Sequence, residues 1–190
     1  MRIAAIAWGS LVWRPGELQT RGRWRRDGPP LPVEFARRSK DGRLTLVLQA
    51  SAAEQRTYWV LSKMDSLDAA LENLRQREGT TPANIHWARG EQGDRQAGND
   101  IDGRVRLWLE ERADVDAAIW TGLPPTSPLD GANTVAEAVA YLEQLEGELL
   151  ERAREYVVKT PAQIQTAVRR EMQRSGWHDE ELPSELFEPE

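Results

Sequence analysis

The feature that most constrains the fold is an apolar run near the start of the chain that ends abruptly on a glycine. Ile3-Ala4-Ala5-Ile6-Ala7-Trp8 offers no polar face, so it reads as a buried strand, and Gly9-Ser10-Leu11-Val12-Trp13-Arg14-Pro15 turns it sharply. Glycine lets the chain bend where a Cβ would obstruct it, and the N–H groups that follow can converge on an anionic or carbonyl oxygen. Most strands that end in Gly-Ser simply turn, so the stretch by itself defines architecture rather than chemistry.

The rest of the chain supplies partners for such a strand. Segments 32–39, 43–49 and 56–62 are rich in β-formers and separated by turn signals such as Lys40-Asp41-Gly42, and Ala117 to Trp120 is apolar enough for one more strand. Ser66-Leu67-Asp68 reads as a helix start capped by Ser66 or Asp65, with Gly79 as its terminator about three turns later. A surface loop is expected over Gly90–Asn99, followed by a short helix around Val105 to Leu109. From Thr134, Val135, Val139, Leu142, Leu145 and Leu149 recur at helical spacing and predict one long amphipathic helix, with a second beginning near Pro161. The acidic tail 179–190 is expected to fray. With 190 residues the chain is long enough for a single domain, 1–190, whose C-terminal part from about 133 is a helical extension.

Composition removes several function classes. There is no cysteine, which excludes thiol catalysis, Cys-ligated zinc and iron–sulfur clusters and suits a reducing compartment. The two histidines, His86 and His178, lie far apart, so no metal site is expected. The N-terminal apolar run is too short for a signal segment and no later run approaches ~20 apolar residues, so a cytoplasmic protein with no membrane partner is expected. A net charge of -6 argues against general nucleic-acid binding. The local exception, Arg21-Gly22-Arg23-Trp24-Arg25-Arg26, has the elements of a base-stacking or phosphate-holding patch, although a solvated loop leading into Asp27-Gly28-Pro29-Pro30 is the simpler reading. Eight tryptophans are many for this length, and some are expected to line a pocket.

One carboxylate breaks the rules of its helix. Leu67, Leu71 and Leu74 lie at i, i+4 and i+7, and Glu78, at i+11, falls within roughly 20° of the same direction. Asp68, Glu72, Gln76 and Arg77 point elsewhere, as a solvated face should. Glu78 also sits in the last turn, where the helix dipole favours cations. If Glu78 faces a pocket, desolvation raises its pKa and makes it a general base near neutral pH; the alternative is that the helix end frays and Glu78 bends into water or pairs with Arg75 or Arg77.

With Trp8-Gly9-Ser10-Leu11 and Leu74-Arg75-Gln76-Arg77-Glu78-Gly79 in hand, the chain resembles the gamma-glutamylcyclotransferase-like superfamily. The continuation Val12-Trp13-Arg14-Pro15 and the segment Phe35-Ala36-Arg37-Arg38-Ser39 are similar to the branch that acts on glutathione. The resemblance covers about residues 2 to 80. It implies an α+β fold, a compact mixed β-barrel flanked by helices, with long C-terminal helices. It also implies that Glu78 is the catalytic acid/base and that Trp8, Gly9, Ser10 and Leu11 bind the substrate. The substrate would be a small γ-glutamyl amine or peptide that releases 5-oxoproline without metal or organic cofactor.

Three departures bear on the substrate. Trp8 stands where the family has Tyr, Gln49-Ala50-Ser51-Ala52-Ala53-Glu54 lacks the proline-glycine-arginine pattern of the glutathione branch, and the C-terminal part has no match to its closing segment. Ser10 has no histidine partner in sequence and reads as a turn residue, not a nucleophile. His86 reads as an ordinary packed histidine. Tyr58, Tyr141, Tyr156 and Thr121 each remain candidates to place a hydroxyl in the pocket. The alternative function is a non-catalytic small-ligand binding or regulatory protein on the same fold.

Overall fold

The opening run forms β1 (Ile3–Ala7), every residue of which is buried. In a computed structural model, which describes residues 1–90, 100–126 and 134–189, β1 is the centre of a five-stranded sheet. On one side of it lie β6 (Tyr58–Ser62) and then β2 (Thr20–Arg25); on the other lie β8 (Ala117–Thr121) and then β7 (Ile85–Arg89). Ala4 pairs with Leu61 and Ile6 with Trp59 antiparallel, whereas Ile3 pairs with Ala117 and Ala5 with Ile119 in parallel. Because β1 and β8 run the same way, Ala7 and Thr121 end at the same edge of the sheet.

The expected barrel is instead two sheets. β3 (Pro30–Arg38) pairs with β4 (Leu44–Leu48) on one side and with the short β5 (Glu54–Arg56) on the other, forming a separate three-stranded sheet. Pro30 and Pro32 bring no N–H to the first half of β3, and pairing there extends over only three residues, from Pro30 opposite Arg56 to Pro32 opposite Glu54. The mixed α+β character holds.

The helix over Leu67–Glu78, α1, has the boundaries its sequence encodes. Ser66 Oγ accepts the Ala69 N–H at 3.3 Å, and Gly79 ends the helix with φ 58°, a conformation that favours glycine. Leu67, Ala70 and Leu74 are buried where α1 packs on β7 and β8. The helix over Asp100–Glu110, α2, packs against β7, β8 and β3. The single helix expected from Thr134 is two: α3 (Val135–Glu143), which opens with a capping box of Thr134 and Glu137, and α4 (Gly147–Val158). The break falls over residues 144–146, just before Gly147, whose φ of 56° departs from helical geometry. The helix expected near Pro161 begins later, as α5 (Ala167–Arg174) capped by Thr166, with the buried Glu34 Oε2 accepting the Ala167 N–H at 2.9 Å.

Two further expectations are corrected. The basic segment 21–26 is largely strand β2, paired to β6 at the sheet edge; Trp24 is buried and unavailable to stack a base, and Arg25 is paired with Asp114 at 2.8 Å. The acidic tail, as far as residue 189, packs on the domain. Phe187 is buried and bridges to Trp24, and the Glu188 N–H donates to the Trp24 carbonyl at 2.9 Å. The loop expected over Gly90–Asn99 lies, apart from Gly90, outside the described residues. No helix of the described residues is long and apolar enough to cross a membrane.

Candidate functional site

The carboxyl ends of β1 and β8 open onto a pocket of about 60 Å³. Trp8, Gly9, Ser10, Leu11 and Glu78 all line it, although the turn and the glutamate lie about seventy residues apart in sequence. The turn after β1 is held by two bonds of its own, Val12 N–H to the Gly9 carbonyl at 3.0 Å and Arg14 N–H to the Ser10 carbonyl at 2.8 Å. Those bonds employ the Val12 and Arg14 amides, while the Ser10 backbone hydrogen-bonds the Tyr156 oxygen.

Glu78 continues the apolar stripe of α1 one turn beyond Leu74, and its side chain is 15 % exposed. Burial pushes its pKa above the ordinary glutamate value, and the neighbouring Arg77 opposes that shift. Arg77 is not on the solvated face: its side chain is also 15 % exposed and donates to Glu78 Oε1 at 2.8 Å. The same guanidinium donates to the Arg14 carbonyl at 2.6 Å and the Pro15 carbonyl at 3.3 Å. Arg77 therefore ties the end of the turn to the carboxylate and fixes the two halves of the pocket relative to each other.

Among the hydroxyl candidates, Tyr156 and Thr121 line the pocket, with Leu46, Val47 and Leu123 completing the wall. Tyr141 instead donates to the Gly42 carbonyl at 2.5 Å, and Tyr58 lies in a different cleft beside Arg169. The Tyr156 ring is fixed edge-on by Trp13 (5.4 Å between centroids) and Phe35 (6.1 Å). Burial raises the Tyr156 pKa and the nearby Glu78 raises it further, against the lowering effect of the Ser10 and Leu46 backbone and the Ser10 hydroxyl. The phenol therefore stays protonated at neutral pH. Its oxygen lies so close to Gly9 that a Cβ there would be 2.6 Å away. Trp8 turns its indole toward the small sheet, Nε1 lying 3.4 Å from the Leu46 carbonyl, so the phenol near the turn comes from α4 and not from position 8.

Sequence reasoning missed Leu46, Val47 and Leu123 and left Tyr156 unranked. The available signal was that Tyr156 shares a helical stripe with Leu149 and Ala153, at i, i+4 and i+7. Among the described residues, no group of three or more His, Cys, Asp or Glu side chains is placed to share a metal ion. The arrangement comprises a buried carboxylate, a protonated phenol and backbone amides around a small cavity. It is suited to gripping a carbonyl or carboxylate oxygen and moving a proton beside it. No protein-family model, curated protein or solved structure matches the chain.

Proposed function

We propose that the protein is an intramolecular cyclotransferase of the gamma-glutamyl class, releasing 5-oxoproline from a small γ-glutamyl amine or peptide. The observation that carries this reading is the convergence of Glu78 with Trp8, Gly9, Ser10 and Leu11 on one pocket. The substrate's own α-amine attacks its γ-carbonyl, so no protein nucleophile is needed. Glu78 takes a proton from the α-ammonium and delivers it to the departing nitrogen, and the second proton that the new lactam nitrogen sheds ends on the released amine. The Leu11 amide stabilises negative charge on the carbonyl oxygen, and the Tyr156 hydroxyl, its oxygen bonded by the Ser10 backbone, is the donor that a tryptophan at position 8 cannot provide.

The test is 5-oxoproline release across a panel of γ-glutamyl compounds, comparing wild type with Glu78→Gln. General acid–base catalysis contributes about 10²- to 10⁴-fold, so the variant should lose at least a hundredfold in kcat. Equal turnover by the two proteins removes Glu78 from the reaction. The ion pair to Arg77 favours the second reading, a binding protein in which Glu78 holds a ligand without exchanging protons. Saturable binding of a γ-glutamyl compound with no turnover of any panel member selects it.

A further inference from the structure

We infer that the favoured substrates are γ-glutamyl amides of arylalkyl amines, whose aryl group occupies a cleft adjoining the glutamate pocket; this rests on the cyclotransferase reading. The cleft measures about 450 Å³ against about 60 Å³ for the pocket, and the two share Leu123 as a wall. They also draw on consecutive residues of the same segments: Val47 and Thr121 line the pocket, Leu48 and Gly122 the cleft. In the proposal, a leaving group that extends past Leu123 from a γ-carbonyl held at the turn enters the cleft. Its volume is several times the ~150 Å³ of an apolar cavity that takes up benzene.

The chemistry of the cleft favours an aryl group over the carboxylate of a peptide. One side is the half-buried His86 ring, backed by the fully buried Trp120, with centroids 6.0 Å apart and ring planes 17° apart. Gly122 makes that stack possible, since a Cβ there would lie 2.3 Å from His86 Nε2. Ala52, Ile101, Pro124 and Pro125 continue the lining with apolar surface. The arginine of the cleft, Arg104, is ion-paired with Glu54, so an incoming carboxylate meets a cation already engaged. His86 is accordingly more than a packing residue.

In the reaction the α-nitrogen forms a bond to the γ-carbon and the bond from that carbon to the nitrogen of the arylalkyl amine breaks. The α-ammonium gives up two protons as it becomes the lactam N–H. The departing nitrogen gains two and leaves as an ammonium, so charge and atoms balance with no further reactant.

The experiment compares kcat/KM for γ-glutamyl phenethylamide, γ-glutamyl methylamide and glutathione in wild type and in Ala52→Trp, which fills the cleft. Calorimetry measures phenethylamine binding to both proteins. The phenethylamide should exceed the other two by at least tenfold, a ratio that Ala52→Trp reduces at least tenfold relative to the methylamide. Glutathione or the methylamide matching the phenethylamide in wild type overturns the inference, as does an unaltered ratio in a folded Ala52→Trp. If no γ-glutamyl compound turns over, the cyclotransferase reading fails. Saturable phenethylamine binding that is weakened in Ala52→Trp then still supports the cleft as an arylalkyl-amine site, and its absence in wild type overturns the cleft too.

Discussion

Glu78 illustrates how a residue can be destabilising where it sits and useful for the same reason. Burial disfavours its ionised form, so its folded-state pKa lies above the unfolded value. Across that interval the folded protein binds more protons than the unfolded chain, and stability falls as pH rises through it. Glu78→Gln removes this dependence. The melting temperature of the variant relative to wild type should therefore be more favourable at pH 7.5 than at pH 4, and thermal melts at the two pH values check it. Gly9 makes a complementary prediction. A Cβ at Gly9 would lie 2.6 Å from the Tyr156 hydroxyl, on a ring held by Trp13 and Phe35. Gly9→Ala should lose ~1–3 kcal/mol by overpacking, measured by denaturant unfolding, and Tyr156→Phe in the same chain should recover part of it by removing the obstructing oxygen. Glu78 was legible in sequence because a carboxylate on an apolar stripe violates periodicity in plain view. Tyr156 was not, because three tyrosines look alike until the fold places one beside the turn. Arg77 was misread because helical direction fixes where a Cβ points, not where a long guanidinium ends.

At the scale of elements, short-range chemistry set the boundaries that were legible. Ser66 and Gly79 frame α1, and Ser66→Ala should lower stability by about 1 kcal/mol in chemical denaturation, through loss of the bond to the Ala69 N–H. The strands richest in β-formers were recognisable as such. β2 was hidden because Arg21, Gly22, Arg23 and Arg25 make an edge strand resemble a loop, and charge on an edge also discourages pairing with other chains. The helix break before Gly147 was hidden because apolar spacing continues through it while the backbone does not.

For the whole molecule, the site exists because long-range pairing brings β1 beside β8 and packs α1 against β7 and β8, so that one sheet edge receives the turn, the carboxylate and the segment around Leu123. No local pattern specifies that β1 and β8, more than a hundred residues apart, run parallel. Nor does one specify that the strands divide into two sheets, or that Phe187 anchors the tail on Trp24. We propose that this edge carries a proton-transferring carboxylate beside a γ-glutamyl holder. The most direct test of this proposal is the pH dependence of 5-oxoproline release by the wild-type protein from a γ-glutamyl amide. With Glu78 as the base, kcat/KM rises with pH along a limb whose midpoint lies above the ordinary glutamate range and that disappears in Glu78→Gln. Release that is absent at every pH, or whose acid limb persists in the variant, contradicts it.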